Sequence, residues 1–599
     1  MNTNTSISER IEALRSSMKA LNVQAYIIPS SDGHLSEYTP AHWKGRTWIS
    51  GFTGSAGTVV ITLDKAGLWT DSRYFLQGAQ QIEGTPLTLF KEGVTGVPSI
   101  EKFLATELPK GAVVGCDGNC FSQAEIERME TALAPFGIAL DAKYDLLEKA
   151  WTDRPAIPTK EFFSHPEKYS GEATQTRTQR ILSELKSFGA NAIVLTMLDE
   201  LAWAFNIRGN DVECNPVGVG YGFIGEKESV LFAIESKVSD ALKEELRKQG
   251  VRTAPYEEIF SYLSQLSEDT CVLIDKMRMT HSIYESLSKA CGKVYATSVV
   301  TLLKSYKNEV ELEGVRRSML RDGVALTRFF IWLEKTLGEG ATPSEVEVGE
   351  KLTSFRAADA MYVCDSFDTI CGYQDHGAIV HYRAEESTAH KVKNEGVLLL
   401  DSGGQYLDGT TDITRTVALG KEEPEAQLKR DYTLVLKGHI AIATAQFPEG
   451  TRGNQLDILA RKALWDQGLS YGHGTGHGVG VFLNVHEGPQ NIRTDNNPTP
   501  MAIGTFTSNE PGLYRSGKYG IRIENLIVTR EKCRTEFGTF LGFETMTLCF
   551  LDNRLVEKSL LTSKEFEWYN DYQERVYQAL SPLLTAEEAT WLRGKTQKL

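Results

Sequence analysis

The sequence lacks the features that mark secreted and membrane proteins. Its nine cysteines, scattered from Cys116 to Cys549, contain no CxxC pair and form no regular ladder. Such a set in a long chain is typical of reduced thiols. No stretch approaches the roughly 18 consecutive apolar residues of a membrane span, and the polar start MNTNTSISERIEALR lacks the apolar core of a signal peptide. We therefore expect a cytoplasmic protein without a membrane partner.

An excess of positive charge is also missing. The chain has 64 Lys and Arg against 79 Asp and Glu, which gives a formal net charge of −15. An acidic chain is a poor candidate for binding nucleic acid, so we expect no nucleic-acid partner. The composition is otherwise that of a globular protein, with 41% hydrophobic and 24% charged residues. A length of 599 residues predicts between two and about four domains.

The first half of the chain contains two regions of similar pattern. Residues 1–153 begin with a helical pattern and a strand-like AYIIPS, after which strands alternate with amphipathic helices. Residues 172–303, which follow a proline-rich linker at 154–171, begin with the helical TRTQRILSELKSFG and the strand-like ANAIVLTM. This alternation is typical of an α/β domain with a partly parallel sheet. We predict two α/β domains, and the resemblance between them indicates either a shared fold or ordinary α/β patterning.

The second half has a different texture. Residues 304–551 begin with a long amphipathic helix, and Ser344 with Glu347 then has the spacing of a capping box. From Thr369 onward, short strands alternate with glycine-rich turns. The tail at 552–599 returns to a helical pattern. We therefore predict a mixed α/β and α+β chain whose third region carries the chemistry.

Five charged or histidine side chains of the third region lie in unusual local sequences. Asp401 ends the apolar run GVLLLD, and Asp412 lies in GTTDITRT, which predicts a Thr-rich strand. His477 lies in YGHGTGHGVG and Glu510 in FTSNEPGLY, while Glu524 alternates with isoleucines in GIRIENLIV, which also predicts a strand. Charged groups in apolar strands are costly unless they are paired or bound to metal.

Each of these residues has an ordinary explanation when it is taken alone. An aspartate after an apolar strand is usually a turn residue, and Glu524 could pair with Arg522 or Arg530. The segment GHGTGHGVG could be a phosphate loop, although it lacks the lysine of GxxxxGK[ST]. Taken together, four carboxylates and one imidazole form a coherent shell for two hard or borderline divalent cations. Two such ions can share a bridging hydroxide and polarise a carbonyl.

These motifs resemble those of a known family. LLLDSGGQY, GTTDITRT, GHGTGHGVG, TSNEPGLY and IRIENL are similar to the metal motifs of the pita-bread metallopeptidases. Their spacing most resembles the long, three-domain Xaa-Pro aminopeptidases (aminopeptidase P). WISGFTGSAGTVVIT and LWTDSRYFLQ resemble the N-terminal domain of those enzymes. The resemblance implies two creatinase-like N-terminal domains, a pita-bread catalytic domain at 304–551 and a helical extension at 552–599.

The resemblance also implies a role for each site residue. Two divalent metal ions would be bound by Asp401, Asp412, His477, Glu510 and Glu524, with Asp412 and Glu524 bridging both. Glu510 would also be the general base. His381, His473 and His486 match catalytic and substrate-binding histidines, His477 contributes to both metal and substrate binding, and Arg73 matches a substrate-binding arginine. The ordinary alternative for Arg73 is an ion pair with Asp71.

The activity implied by the resemblance is removal of the first residue from peptides with proline in second position, by attack of a metal-bridging hydroxide. Mn(II) is the expected ion, with Co(II) and Zn(II) as alternatives, and a homodimer is expected. Two other functions remain open, namely a prolidase acting on Xaa-Pro dipeptides and a non-catalytic pita-bread domain that binds proteins. One segment, CGYQDHGAIVHY, departs from the Gly/Pro-rich sequence that the family tends to carry before its GA pair.

Overall fold

The computed structural model describes residues 6–599. It divides the chain into two compact units. The first contains the described residues up to His165 together with Glu172–Val300, and the second contains Pro166–Gly171 together with Thr301–Leu599.

The first unit contains two mixed sheets, each covered by helices. In spatial order the strands of the first sheet are Thr88–Lys91, Ala66–Thr70, Thr58–Thr62, Ala25–Ile28, Val113–Gly115 and Ala139–Asp141. Its helices are Ile7–Ala20, Gly45–Ser50, Phe75–Gln81, Ile100–Glu107, Gln123–Leu133 and Leu147–Ala150. The helix predicted over the opening residues is confirmed, and it begins at a capping box formed by Ser6 and Glu9.

The second sheet repeats the first. Its strands in spatial order are Val251–Pro255, Ser229–Ala233, Tyr221–Gly225, Ala192–Leu195, Cys271–Ile274 and Gly292–Tyr295. Its helices are Thr174–Ser187, Leu198–Ala204, Asp240–Lys248, Glu258–Ser264 and His281–Ser286. Both sheets have the same order of parallel and antiparallel pairs, with two parallel pairs on one side of the antiparallel centre and one on the other. The shared fold is therefore confirmed.

The segment predicted as a linker, 154–171, has local structure. Its strand Phe163–Ser164 pairs with Ile207–Arg208 in the first unit. The short helix Glu167–Ser170 belongs to the second unit, where the Asn308 side chain donates to the Ser170 carbonyl.

Helices of the second unit surround its sheets. The longest, Glu309–Gly338, begins at a capping box formed by Asn308 and Glu311, and the predicted box of Ser344 and Glu347 opens the next helix. These helices bury an apolar face because their hydrophobic residues recur with helical spacing. The helices are Glu309–Gly338, Glu345–Arg356, Ala426–Ala443, Gly453–Trp465, Ser563–Leu580 and Ala586–Lys595, and the division between the units falls within the helix Val299–Ser305.

The sheets of the second unit are short and strongly interrupted. The largest has the strand order Gln446–Pro448, Gly538–Thr545, Asn525–Thr535, Phe506–Asn509, Gly476–Gly478 and Glu487–Ile492. The others are formed by Ile370–Tyr373, Val397–Ser402 and Ile413–Ala418, by Tyr362–Asp365, Gly404–Tyr406 and Gly409–Thr410, and by Gly512–Arg515 and Tyr519–Arg522. Among residues 6–599, no helix combines the length and apolar character needed to cross a membrane.

Candidate metal centre

Two antiparallel strands bring Asp401 and Asp412 together. Val397–Ser402 pairs with Ile413–Ala418 so that Asp401 lies opposite Thr414. The connection must turn tightly, and a Cβ at Gly403 would lie 2.0 Å from the Thr411 carbonyl oxygen. Only glycine allows this approach, so the DSGG motif is required for the chain to bring the second aspartate back beside the first.

A second antiparallel pair brings Glu510 and Glu524 together. Phe506–Asn509 pairs with Asn525–Thr535, and Asn509 lies opposite Asn525. Glu510 follows the first of these asparagines and Glu524 precedes the second, so both glutamates leave the sheet at the same end. The backbone N–H of Glu524 donates to the Thr414 carbonyl at 3.1 Å, which joins this pair to the strand beyond Asp412.

The glycine-rich motif supplies the imidazole. His477 lies in the strand Gly476–Gly478, which pairs with Phe506–Asn509. A Cβ at Gly476 would lie 2.0 Å from the Ser508 carbonyl oxygen, so this glycine permits close contact with the strand that leads to Glu510. The ring nitrogen Nδ1 of His477 donates to the Gly478 carbonyl at 2.9 Å. This hydrogen bond leaves Nε2 facing the carboxylates.

The side chains converge on one position. Asp412, His477 and Glu524 each offer a ligand atom within 4.8 Å of the others. His477 Nε2 is 3.4 Å from Asp412 Oδ2 and 3.4 Å from Glu510 Oε1. Thr414 Oγ1 donates to Glu524 at 2.8 Å, and Ser508 Oγ donates to Glu510 at 3.0 Å. These donors orient the carboxylates without neutralising them.

Burial makes this cluster electrostatically expensive. Desolvation raises the pKa of Glu524 well above its ordinary value, and Asp412, Glu510 and Asp401 raise it further. Desolvation likewise raises the pKa of Glu510, although His477 opposes the shift. Burial would lower the pKa of His477, but Asp412 and Glu510 raise it to about 9. Divalent cations would remove the repulsion among these carboxylates.

Arg522 has a different partner from the one that its sequence position suggested. Its guanidinium donates to Asp401 Oδ2 at 2.6 Å and to the Tyr514 hydroxyl at 2.7 Å, so it does not neutralise Glu524. Arg530 pairs instead with Glu309 and Glu544. The ion-pair explanation for Glu524 is therefore wrong.

Two predicted strand positions are also wrong. Asp412 lies between the strands Gly409–Thr410 and Ile413–Ala418, and Glu524 lies between Tyr519–Arg522 and Asn525–Thr535. Thr-rich sequence continues across the first interruption and alternation with isoleucines continues into the second, which explains both errors. Because Asp412 and Glu524 lie outside the strands, their side chains do not follow the alternation of a strand between its two faces, and both lie in the cluster.

The predicted histidines and arginine lie in different surroundings. The ring of His486 is perpendicular to that of His477, with centroids 4.4 Å apart. The Tyr514 hydroxyl donates to His473 Nε2 at 2.7 Å. His381 follows the 3-10 helix Gln374–Ala378 and is half-buried. Arg73, in the first unit, forms the alternative ion pair with Asp71 at 2.7 Å. The functional roles of these residues remain predictions.

Two buried residues beneath the cluster were missed by the sequence analysis. Arg415 donates to the Glu524 carbonyl at 2.6 Å and to Asn525 Oδ1 at 2.8 Å, and its other bonds reach Cys549, Phe550 and Tyr572. His439 Nδ1 donates to the Asn509 carbonyl at 3.1 Å, and its Nε2 accepts from Asn525 at 3.1 Å. The signal available for Arg415 was an arginine inside the strand predicted for GTTDITRT.

The donor set fits a pair of divalent cations. Within residues 6–599, Asp401 Oδ1 is a buried oxygen without a hydrogen-bond partner, as expected of an atom that binds a cation. The hydrogen bond from His477 Nδ1 to a carbonyl is typical of a metal-binding histidine. The fold and this cluster define a protein built to hold divalent metal ions in a site rich in carboxylates.

Comparison with known proteins identifies the family. Residues 313–531 match the profile of metallopeptidase family M24, and residues 539–599 match its C-terminal region. Residues 10–143 and 153–311 each match a creatinase/prolidase N-terminal domain. The chain belongs to metallopeptidase family M24. The resemblance drawn from the motifs and the predicted fold class are both confirmed.

Individual relatives match over nearly the whole chain. The "Probable Xaa-Pro aminopeptidase P" of Laccaria bicolor is 42% identical over 99% of this chain and 94% of that protein. The "Aminopeptidase P2" of Arabidopsis thaliana is 38% identical over 100% of this chain and 89% of that protein. The crystal structure of X-prolyl aminopeptidase from Caenorhabditis elegans, described as a cytosolic enzyme with a di-nuclear active site, is 34% identical, with a TM-score of 0.94 and full coverage of both chains.

Proposed function

We propose that this chain is a metal-dependent aminopeptidase that releases the N-terminal residue of peptides with proline in second position. The observation that carries the proposal is a buried cluster of four carboxylates and one imidazole. Asp412, His477 and Glu524 converge, Glu510 lies 3.4 Å from His477, and Asp401 is close enough to raise the pKa of Glu524. Relatives that cover nearly the whole chain are named for this activity, and the neighbouring structure is described as di-nuclear. Two divalent cations bound here would act as Lewis acids and would lower the pKa of a bound water.

The substrate explains why a peptidase of this kind needs such a site. A peptide bond before proline is a tertiary amide without an N–H, so an enzyme cannot hold it through an amide hydrogen. Glu510 would accept a proton from the attacking water and return it to the proline nitrogen. His486, close to His477, would donate a hydrogen bond to the developing oxyanion.

The finer assignments follow the same reasoning. We propose Mn(II) as the native ion, because carboxylates dominate the donor set, with Co(II) and Zn(II) as alternatives. His381 and His473 would position the substrate. Arg73 would contact the substrate after breaking its ion pair with Asp71. We also propose that the protein is cytoplasmic and forms a homodimer.

The test compares three substrates on one preparation that has been stripped of metal and reloaded with single ions. We expect a tripeptide Xaa-Pro-Yaa to be cleaved after residue one, and the Xaa-Ala-Yaa peptide to react with a much lower kcat/KM. A dipeptide Xaa-Pro that reacts as well as the tripeptide would favour the prolidase alternative. Equal rates for the alanine and proline tripeptides would contradict the proline specificity, and no hydrolysis with any ion would favour a non-catalytic domain.

A further inference from the structure

A second group of potential metal ligands combines two residues of the segment CGYQDHGAIVHY, which departs from the family's sequence, with a histidine eight positions beyond that segment. Asp375, His376 and His390 each offer one ligand atom within 4.8 Å of the others. His390 Nε2 is 3.1 Å from Asp375 Oδ1. Ligands about 2.1 Å from a tetrahedral ion are separated by about 3.4 Å, so this pair is already close to the separation that an ion requires. None of these residues belongs to the carboxylate cluster described above.

A buried carboxylate fixes the state of His376. Glu345 accepts hydrogen bonds at 2.8 Å from the backbone N–H groups of Tyr373 and His390 and from the Tyr382 hydroxyl. His376 Nδ1 lies 2.9 Å from the same carboxylate and donates to it. In the neutral ring this leaves the lone pair on Nε2. A carboxylate behind the imidazole is the arrangement that metal-binding histidines use to set tautomer and orientation.

The exposure of the three side chains is also suited to an ion that arrives from solvent. Asp375 and His390 are 48% and 40% exposed, whereas His376 is 15% exposed and Glu345 is fully buried. One ligand is therefore fixed from behind and two can move. The imidazoles of His376 and His390 are stacked, with centroids 3.5 Å apart and planes 2° from parallel. A turn of the more exposed ring would bring both lone pairs onto one ion.

We propose that Asp375, His376 and His390 bind one divalent cation of the class that prefers imidazole, represented by Zn²⁺. Two nitrogens and one carboxylate oxygen suit such an ion, with water in the fourth position. The ordinary alternative is an exposed ion pair between His390 and Asp375, which contributes little by itself. That alternative does not require Glu345 behind His376.

Binding would join the two ends of the segment that carries His381. Residues 377–389 lie between His376 and His390, so an ion held by both closes them into a loop. The start of this loop is fixed to the core of the second unit, because the Gly377 carbonyl lies where a Cβ of Gly520 would be, 1.7 Å away. Its far end is held through the backbone of His390, whose N–H donates to Glu345 at 2.8 Å and whose carbonyl accepts from the Glu345 N–H at 3.1 Å. The ion would add a side-chain link between the two ends that further restricts the loop, and under the proposed function it would help to position His381.

The first experiment counts Zn²⁺ by equilibrium dialysis of the full chain. We expect the wild-type chain to bind one Zn²⁺ more than either His390→Ala or His376→Ala. Asp368→Asn is the matched control, because this exposed carboxylate pairs with Arg383 and lies outside the proposed site. It should bind as many ions as the wild type. Equal stoichiometry in the wild type and both histidine variants would overturn the proposal.

A second background separates this site from the carboxylate cluster. In Asp412→Asn the cluster should lose metal, yet adding His390→Ala should still remove one further Zn²⁺. If that difference disappears, the ion belonged to the cluster and the proposal is wrong. Glu345→Gln keeps all three ligands and should weaken Zn²⁺ binding about 10–100-fold. Because Glu345 is buried and its variant could unfold, Asp375→Asn serves as a second ligand variant, with the same expected loss of one ion.

Amide hydrogen exchange supplies a readout that does not depend on activity. Zn²⁺ should slow exchange in residues 377–389 of the wild type and should have no effect there in His390→Ala. Unchanged exchange in a wild-type chain that has bound the additional ion would overturn the loop-ordering part of the proposal.

Discussion

His34 in the first unit and His477 in the second both lie among buried polar groups, but their surroundings shift their pKa values in opposite directions. Burial, opposed by the hydrogen bond to the Thr196 carbonyl and assisted by the charge of Lys237, lowers the pKa of His34 to about 3. Burial acts on His477 in the same sense, yet Asp412 and Glu510 raise its pKa to about 9. The difference therefore lies in the neighbours and not in the burial.

The two surroundings differ in what they leave unsatisfied. Both ring nitrogens of His34 are bonded at 3.0 Å, to the Thr196 carbonyl and the Tyr256 hydroxyl. The ring is neutral and its hydrogen bonds are complete. Around His477 the carboxylates repel one another and need a positive charge from outside the chain. The comparison indicates that a buried polar cluster marks a binding site when its charges are not balanced internally.

The largest expected effect comes from replacing one carboxylate of the cluster by its amide, which reduces the excess negative charge and removes a metal ligand. Asp412→Asn and Glu524→Gln should each reduce turnover by at least about 10³-fold, more than the loss of a typical oxyanion donor. Both residues lie at breaks between strands with their ligand atoms in the cluster, and the proposed function gives each of them a bridging role. Metal analysis of the purified variants should show less than the wild-type content.

Asp368→Asn makes the same chemical change at an exposed ion pair and should leave both turnover and metal content unchanged. A full metal content with normal turnover in Asp412→Asn or Glu524→Gln would remove that residue from the ligand set.

His486 separates metal binding from chemistry at the carboxylate cluster that contains His477. His486→Ala should keep its metal and its melting temperature but lose about 10²–10³-fold in kcat, because it removes one donor to the oxyanion. The perpendicular contact with His477 places its ring beside the cluster. Metal content, melting temperature and kcat should be measured on one preparation. A lower melting temperature with normal kcat would indicate a structural role for His486.

Sequence patterns predicted the α/β repeat and the chemistry of the cluster because both depend on local residue types. The repeat was visible because each copy begins with a helix and a buried strand. The breaks between strands at Asp412 and Glu524 were not visible, because strand-forming residues continue through them, threonines at the first and alternating isoleucines at the second. The domain limits near residues 153, 171, 303 and 551 remain predictions.

Long-range partners were beyond the reach of the sequence. Arg522 bonds Asp401, which lies 121 positions away along the chain, and Arg415 bonds Tyr572, 157 positions away. Such pairings depend on tertiary packing, and the nearest oppositely charged residue in the sequence is a poor guide to them. The sequence of CGYQDHGAIVHY is unusual in itself, but only the fold shows that Glu345 bonds both His376 of this segment and the backbone of His390.

His439 offers a sharper form of the comparison, because it is a fully bonded histidine directly beneath the metal cluster. Burial lowers its pKa to about 3, as it does for His34. Its partners Asn509 and Asn525 are the neighbours of Glu510 and Glu524. His439→Gln should shift these glutamates and lower kcat about 10–100-fold, with a stability loss of about 1–3 kcal/mol.

Measuring metal affinity together with kcat distinguishes a positioning role of His439 from a role in stability alone. A positioning role predicts weaker metal binding and recovery of part of the activity at high metal concentration. A variant that loses stability while kcat and metal affinity stay normal would limit His439 to the core.

The smallest effect on activity is expected at His34, because this residue contributes to stability and not to turnover. Its pH dependence tests the histidine whose hydrogen bonds are complete. In the unfolded chain His34 takes up a proton near pH 6.5, whereas in the folded chain it stays neutral until about pH 3. The folded state therefore binds fewer protons between these values, and the stability contributed by neutral His34 is present above about pH 6.5 and is lost as the pH falls. The slope approaches about 1.4 kcal/mol per pH unit for one proton.

His34→Gln removes the titrating group and isolates its contribution. At pH 8 the variant should be about 1–3 kcal/mol less stable, because Thr196 and Tyr256 lose well-placed partners. As the pH falls toward 4 the wild type loses the His34 contribution and the variant does not. At about 1.4 kcal/mol per pH unit the difference in stability should close and then reverse, so that the variant is the more stable at pH 4. Hydrogen exchange in Ala25–Ile28 and Ala192–Leu195, corrected for intrinsic rates, measures this locally. Tyr256→Phe is the control, because it weakens the same contact but retains the imidazole, and its pH dependence should follow the wild type. A constant difference between wild type and His34→Gln from pH 8 to pH 4 would show that His34 does not resist protonation, and the contrast with His477 would fail.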